Sequence, residues 1–172
     1  MLFTVAFPNW SGDALAAVQS VRREADPQYA LVEPHLTLSF GADLDEGIYL
    51  DHVAAVAHGT RPVTHRIGCA LPFPEAGRGA HVDLVPDLGQ SELVRLHDAL
   101  YRGPLERALR YDIAYAPHVT LEHGPDALRA RRIADEWNAH APIIDGVFDA
   151  LSVGTLRGGR FEVLAHFALE AA

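Results

Sequence analysis

Two short stretches of the chain repeat one another, PHLTLSFG at residues 34–41 and PHVTLEHG at residues 117–124. Each contains Pro, His, an aliphatic residue, Thr and Leu, and each has a Gly six positions after the His. A single His-x-Thr is a weak pattern that ordinary half-exposed strand residues also produce, but two copies in matching surroundings favour a shared chemical role. The His and Thr of each copy are therefore the candidate site residues.

The alternation within each copy is typical of a β-strand. Side chains two positions apart in a strand point to the same face of a sheet. His35 and Thr37 should therefore share one face, as should His118 and Thr120, while the aliphatic residues between them enter the core. The Pro before each His removes a backbone donor, which suits a strand start or edge that a ligand can approach.

Two imidazoles facing each other across a cleft can catalyse hydrolysis or transfer at phosphorus without a metal. One accepts a proton from the nucleophile and the other donates a proton to the leaving oxygen. The hydroxyls of Thr37 and Thr120 would hydrogen-bond the phosphoryl oxygens as charge shifts in the transition state. A metal site is the less favoured alternative, because Thr is a poor ligand for transition metals and neither copy has the spacing of common metal sites.

The elements that must position these residues follow one order in both halves of the chain: helix, PHxTL strand, helix, strand, strand. Apolar periodicity, helix caps and Gly-Pro breaks locate them, with Ser11 or Asp13 as the cap of the first helix. Helices are predicted at residues 11–26, 43–59, 91–110 (broken near Gly103-Pro104) and 126–141. Beside the two motif strands, strands are predicted at residues 2–8, 63–71, 80–86, 148–156 and 160–169, with residues 72–79 as a loop.

The repeated order predicts a duplicated architecture. We expect an α+β fold in which residues 1–172 form a single domain of two pseudo-symmetric lobes, approximately residues 1–88 and 89–172. Each lobe would supply one His-x-Thr strand about a pseudo-two-fold axis. Antiparallel sheets of the two lobes would face each other across a central cleft, with helices outside.

Composition narrows the functions that this fold could perform. The net charge of −9 at pH 7 disfavours long nucleic acid as a partner but is compatible with a small anionic ligand. All 14 basic residues are Arg, so Schiff-base lysine chemistry and the lysine-containing P-loop are excluded. The single cysteine, Cys69, can form neither an internal disulfide nor a cysteine cluster and is interpreted as a buried, inert thiol.

No apolar run reaches the roughly 18 residues of a membrane span, and the first residues lack the features of a signal peptide. We therefore expect a cytoplasmic protein without a membrane partner. We also expect it to act as a monomer.

The other histidines are given ordinary positions. Those on predicted helices are expected on solvated faces: His52, His58, His97 and His140. Those in predicted strands are expected to be structural: His65, His81 and His166. His123 ends the second motif, and a regular strand would point it away from the face of His118, so no catalytic role is assigned to it.

PHLTL and PHVTL resemble the paired motifs of the 2H phosphoesterases, the group that includes 2′-5′ RNA ligase-like proteins and cyclic nucleotide phosphodiesterases. The stretches VRREADPQYALVEPHLTLSF and LRGGRFEVLAHFAL are similar to that family's approach to its first motif and to its closing hairpin. The resemblance implies a two-lobed fold and an attack on a phosphodiester without metal or other cofactor. It also implies that His35 and His118 are acid and base, in an order left open, and that Thr37 and Thr120 hold the phosphate.

The favoured function is hydrolysis of a 2′,3′-cyclic phosphate on a small nucleotide or RNA end. Many RNA-acting relatives carry a basic residue near the end of the second motif, whereas this chain has LEHG, which favours a small substrate. Phe73 and Arg157 are candidates to contact a base or a distal phosphate. Two alternatives stay open: a nucleotide-binding module without catalysis, and a 2′-5′ RNA ligase.

Overall fold

The computed structural model describes residues 1–75, 79–112 and 114–170, within which four α-helices, one 3-10 helix and nine strands lie. The strands are β1 (Leu2–Ala6), β2 (Asn9–Trp10), β3 (Leu36–Ala42), β4 (Val63–Glu75), β5 (Gly79–Leu88), β6 (Val119–Gly124), β7 (Ile144–Phe148), β8 (Ala150–Arg157) and β9 (Arg160–Ala168). The α-helices are α1 (Gly12–Ala25), α2 (Glu46–His58), α3 (Gln90–Leu100) and α4 (Ala127–His140), and the 3-10 helix spans Gly103–Ala108.

The strands form one sheet in the order β2-β7-β4-β5-β6-β3-β1-β8-β9, and every neighbouring pair is antiparallel. The predicted α+β class and antiparallel pairing are confirmed. The two expected sheets are instead two halves of a single sheet, joined at one backbone pair between Leu36 of β3 and Val119 of β6. The His118 half comprises β2, β7, β4, β5 and β6, and the His35 half comprises β3, β1, β8 and β9.

These halves do not coincide with the predicted lobes at residues 1–88 and 89–172. Strands β4 and β5 pair with β6 and β7 from later in the chain, and β1 pairs with β8. Each half of the sheet therefore combines strands from both parts of the sequence. The reason is that strand partners are chosen by long-range backbone hydrogen bonds, which the order of elements along the chain does not encode.

The helix boundaries follow local chemistry that the sequence displays. Ser11, one of the two predicted caps, caps α1 by accepting a hydrogen bond from the Ala14 backbone N–H. Asp45 and Asp126 cap α2 and α4 in the same way. Helices α1 and α4 pack against the His118 half, and α2 packs against β1, β8 and β9 of the other half. The motif strand β6 is thus covered by α1 and α4, whereas the motif strand β3 is covered by α3.

Two predicted elements change their extent. The helix predicted for residues 91–110 ends at Leu100, because Gly103 has a φ of +58° and the following Pro104 begins a 3-10 turn. The loop predicted for residues 72–79 is instead largely the end of the β4–β5 hairpin, and its residues 76–78 lie outside the described ranges.

The sequence-based prediction of that hairpin was wrong because its prolines suggest a loop. Pro72 and Pro74 pair with β5, but β4 pairs with β7 only as far as Ile67. The missing proline N–H groups can therefore be accommodated along the edge that β7 does not cover. The short strands β2 and β7 were not predicted.

None of the α-helices in the described part of the chain combines the length and apolar content that crossing a bilayer would require.

Candidate active site

The two motifs occupy equivalent positions at the centre of the sheet. His35 directly precedes β3 and His118 directly precedes β6, the two strands at which the halves of the sheet meet. At all eight positions, residues 34–41 and 117–124 share the same burial class, with buried Pro, half-buried His and Thr, and buried aliphatic residues between them. The verbal repeat in the sequence is therefore also a structural repeat.

Each motif strand carries a β-bulge at the same place. The register between β1 and β3 shifts between Thr4 and Val5, and the register between β5 and β6 shifts between Val82 and Asp83. A bulge places two residues of one strand opposite one residue of its partner and re-aims the side chains that follow. In the first copy, Ser39, which follows Leu38, is accordingly buried as well, and Phe40 is exposed. In the second copy, Glu122, which follows Leu121, is buried, and His123 is exposed.

The bulge corrects the expected orientation of His123. A regular strand would turn this side chain away from the face of His118, but the ring of His123 lies 6.5 Å from that of His81, which itself lies 6.1 Å from His118. Phe40 holds the corresponding position in the first copy and lines the cavities beside both catalytic candidates.

The two imidazoles are oriented in the same way. Nδ1 of His35 lies 2.9 Å from the Glu33 carbonyl oxygen, and Nδ1 of His118 lies 2.7 Å from the Ala116 carbonyl oxygen. A carbonyl oxygen can only accept, so each Nδ1 carries the hydrogen and each neutral ring keeps its lone pair on Nε2. Both side chains can therefore exchange a proton with a substrate through Nε2.

The surroundings of His35 favour its neutral form. Burial of the ring is the largest effect and lowers the pKa of His35 below its ordinary value. The positive charge of Arg22 lowers the pKa further, while the Glu33 carbonyl and Asp26 oppose the shift. A neutral imidazole at neutral pH is the form that accepts a proton.

The two threonines have unlike neighbours. Thr37 pairs with Val5 of β1, whereas Thr120 pairs with Asp83 of β5. Thr120 Oγ1 lies 3.4 Å from Asp83 Oδ1 and donates to it. The Thr37 backbone carbonyl accepts a hydrogen bond of 2.9 Å from the Tyr115 hydroxyl, which ties the first motif to the segment leading into the second.

A cavity lies beside each histidine. The His118 cavity has a volume of about 320 Å³, and its wall includes the rings of Phe40, Phe73, His97, Tyr101 and Tyr115. The His35 cavity has a volume of about 300 Å³ and is lined by more aliphatic residues, together with Phe3 and Phe161. Each is large enough for part of a small ligand, and the His118 cavity offers more aromatic surface for stacking.

The structure places the two weaker candidates differently. Phe73 lines the His118 cavity and stacks on His81, with ring centroids 5.3 Å apart and an interplanar angle of 18°. Arg157 lies at the end of β8, where its exposed guanidinium is 3.5 Å from Glu162, and it is not among the described residues that line either cavity. The structure therefore brings Phe73, but not Arg157, to a cavity beside one of the candidate histidines.

Sequence reasoning missed Asp83 and His81. The Asp83 side chain is almost fully buried, and its Oδ2 accepts from Nδ1 of His81 at 2.9 Å. This hydrogen bond is the largest cause that raises the pKa of His81. The alternation of HVD at residues 81–83 shows that the two side chains share a face, but only the pairing of β5 with β6 shows that this face contains His118.

The structure also tests the positions expected for His97 and His65. His97 was expected on a solvated helix face, but it is buried and stacks on Tyr115 with centroids 3.7 Å apart, because α3 packs over β3. His65 is structural: it is buried, stacks on Phe148 and accepts a hydrogen bond from the Trp10 indole. Burial is the main reason that the pKa of His65 falls to about 4.

In the described ranges, no three His, Cys, Asp or Glu side chains are arranged so that they could hold a metal ion.

The protein-family model that describes the 2′-5′ RNA ligase superfamily matches residues 10–160 of this chain. The chain therefore belongs to the 2′-5′ RNA ligase superfamily, the 2H phosphoesterases, as the paired motifs predicted. Membership of this superfamily supports a phosphoesterase-type activity.

Its relatives share much of its length. A Bacillus licheniformis protein, provisionally assigned as a phosphoesterase, is 31% identical over 152 residues, which cover 82% of this chain and 83% of the relative. A Bacillus pumilus protein with the same provisional assignment is 32% identical over 120 residues, covering 68% and 66%.

Solved structures share the fold. LigT of E. coli in its apo form aligns with a TM-score of 0.64 at 17% identity, covering 98% of this chain and 96% of LigT. The protein TT0787 of Thermus thermophilus aligns with a TM-score of 0.62 at 20% identity, covering 99% and 98%. LigT in complex with 3′-AMP aligns with a TM-score of 0.61 at 16% identity, covering 98% and 97%.

Proposed function

We propose that this protein is a metal-independent phosphodiesterase that hydrolyses a 2′,3′-cyclic phosphate on a small nucleotide or on an RNA end. The observation that carries the proposal is the pair of equivalent imidazoles at the junction of the two halves of the sheet. Nδ1 of each donates to a backbone carbonyl, so that both Nε2 atoms are left for proton transfer. Phosphodiester hydrolysis needs one proton acceptor and one proton donor, and two imidazoles with accessible Nε2 atoms would supply both, whichever ring takes which role.

The reaction proceeds by attack of water on phosphorus. One imidazole Nε2 takes a proton from the water as its oxygen bonds to phosphorus, and the other Nε2 gives a proton to the ribose oxygen as its bond to phosphorus breaks. The product is a phosphomonoester with a free ribose hydroxyl. The hydroxyls of Thr37 and Thr120 lie on the same strand faces as the histidines and would hydrogen-bond the non-bridging oxygens as their charge grows.

The cavities suit a nucleotide. The aromatic rings of the His118 cavity offer stacking surfaces for a base, and base–aromatic stacking tolerates different bases. The complex of LigT with 3′-AMP supports a small nucleotide as the ligand class here. The acidic chain has few basic residues to contact a long phosphate backbone, which favours a small substrate over an extended RNA.

The test is incubation of EDTA-treated protein with the four 2′,3′-cyclic nucleotides and with a short RNA that ends in a cyclic phosphate. Chromatography separates 2′- from 3′-phosphate products. We expect many turnovers per protein molecule. Thermal stabilisation by nucleotides without any product would instead support a binding module. Joining of RNA ends without hydrolysis of cyclic nucleotides would support a ligase. Either result would contradict the proposal.

A further prediction separates the two cavities. Phe73→Ala should raise KM for a cyclic nucleotide by about 5- to 150-fold with a small change in kcat, because stacking on a base contributes about 1–3 kcal/mol. Phe161→Ala, which removes a ring from the His35 cavity, is the matched control and should change KM less. Steady-state kinetics of both variants measure the difference. A larger effect at Phe161 would place the base in the His35 cavity.

A further inference from the structure

The two His-Thr pairs are alike in backbone and burial but unlike in what faces them. The residue that pairs with Thr37 is Val5, and the residue that pairs with Thr120 is Asp83. Both positions lie next to the bulge on the neighbouring strand, so they are equivalent in the repeat. The His35 half of the site therefore has the apolar side chain of Val5 at the position where the His118 half has the carboxylate of Asp83.

Asp83 contacts the groups around His118. Its side chain is 3% exposed, and its Oδ2 lies 2.9 Å from His81 Nδ1 and 3.8 Å from His118 Nε2. Its Oδ1 accepts from Thr120 Oγ1 at 3.4 Å. A buried carboxylate is poorly screened by water, so its negative charge acts strongly on neighbours within about 4–6 Å and favours their protonated forms.

Resting on the function proposed above, we propose that Asp83 is a positioning residue that gives the two histidines unequal roles. Its carboxylate lies beside Nε2 of His118, which acts as the general acid, and it leaves His35 as the general base. His35, beside Val5 and without a carboxylate at the equivalent position, is held in its neutral form by burial. The asymmetry of the surroundings thus separates two side chains that the sequence repeat makes equivalent.

This assignment agrees with the shape of the site. When a cyclic phosphate opens, the leaving oxygen belongs to the ribose, so the nucleoside must lie on the side of the acid. The larger aromatic surface lies beside His118. Water enters from the other side: His35 Nε2 takes its proton as the new P–O bond forms, and His118 Nε2 protonates the ribose oxygen as the old P–O bond breaks. Proton exchange with solvent restores both rings.

Several other charged or titratable groups face Asp83, and they come from different elements. His81 lies on its own strand, and Glu75 of β4 lies 3.8 Å from the far nitrogen of His81. His123 of β6 lies beside His81. Across the cavity the facing groups are His97, Tyr101, Arg110 and Tyr115. Arg110 also faces Asp83, but its positive charge is already paired with the carboxylate of Asp112.

Asp83→Asn tests the proposal, because it removes the charge and keeps the size of the side chain. In the pH profile of kcat/KM, the alkaline limb reports the acid and the acidic limb reports the base. We expect the alkaline limb to move to lower pH by about one unit, with the acidic limb unchanged. NMR titration of labelled histidines in the free protein should show the midpoint of His118 moving in the same direction. Asp87→Asn, an exposed carboxylate on the same strand, is the matched control and should leave both unchanged.

Two results would overturn the proposal: a shift of the acidic limb alone, or an unchanged His118 midpoint, which together with lost activity would mean a purely structural role. The NMR titration needs no substrate and therefore separates this proposal from the proposed function. If the wild-type protein hydrolysed no cyclic nucleotide, the function would fail, while the titration would still decide whether Asp83 holds the proton.

Discussion

His35→Ala and His118→Ala are each expected to lower kcat for a 2′,3′-cyclic nucleotide by about 10²- to 10⁴-fold. The physical reason is that each variant removes one of the two proton-transfer groups, and a positioned general acid or base contributes a factor of that size. Both side chains are half-buried and lie just before a strand, with their hydrogen bonds made to local backbone carbonyls. The fold should therefore survive both substitutions, as circular dichroism and thermal unfolding would verify.

His140→Ala is a suitable control for these variants. His140 is exposed at the end of α4, and its Nδ1 lies 3.2 Å from the Glu136 carbonyl, so its local contact resembles those of the site histidines. Its removal should leave kcat unchanged. The double variant His35→Ala/His118→Ala should lose less than the product of the single losses, because the two groups act in one step. Near wild-type turnover in either single variant would disprove two-histidine catalysis.

Asp26→Ala is expected to lower the free energy of unfolding by about 3–5 kcal/mol. Asp26 and Arg22 form an ion pair of 2.8 Å in which both side chains are 2% exposed. Removing one partner leaves the other as an uncompensated buried charge, and that loss has the stated magnitude. Chemical denaturation at neutral pH, with the midpoint and slope compared with those of the wild type, measures the change.

The chain contains a matched control for this pair. Arg131 and Asp135 are also an Arg–Asp pair four residues apart in sequence, with 2.9 Å between the charged groups, but both side chains are exposed. Asp135→Ala should leave the denaturation midpoint within experimental error, because water and salt screen an exposed pair. Equal losses in the two variants would show that burial is not what makes the Arg22–Asp26 pair important.

The buried pair also supports the site. Arg22 Nη2 donates to the Val32 carbonyl at 2.9 Å, and Asp26 Oδ1 accepts from the Gln28 backbone N–H at 2.9 Å. Both hydrogen bonds hold the segment of residues 27–34, which precedes His35, against the end of α1. The Asp26→Ala variant should therefore lose activity at temperatures below its own unfolding transition, and a protein with full activity up to that transition would argue against the link.

The amino-acid sequence alone predicted the chemistry that we propose for the motifs. Pro, His and Thr recur at the same spacing in both motifs. Together with the two-residue period of a strand, this spacing identified His35, Thr37, His118 and Thr120 as the candidate site residues. Helix caps such as Ser11 and breaks such as Gly103-Pro104 were also readable, because they depend on hydrogen bonds and dihedral angles within a few residues. Family membership followed from the same local patterns.

Only the tertiary structure decided which residues surround them. The pairing of β5 with β6 places Asp83 and His81 beside His118, and the bulges turn Phe40 and His123 onto the face of the site. The packing of α3 over β3 brings His97 to Tyr115. These features arise from contacts between residues distant in sequence, whose free energies depend on burial and register that no local pattern reports. The sequence therefore predicts two equivalent His-Thr motifs, and the tertiary structure determines how the residues around these two motifs differ.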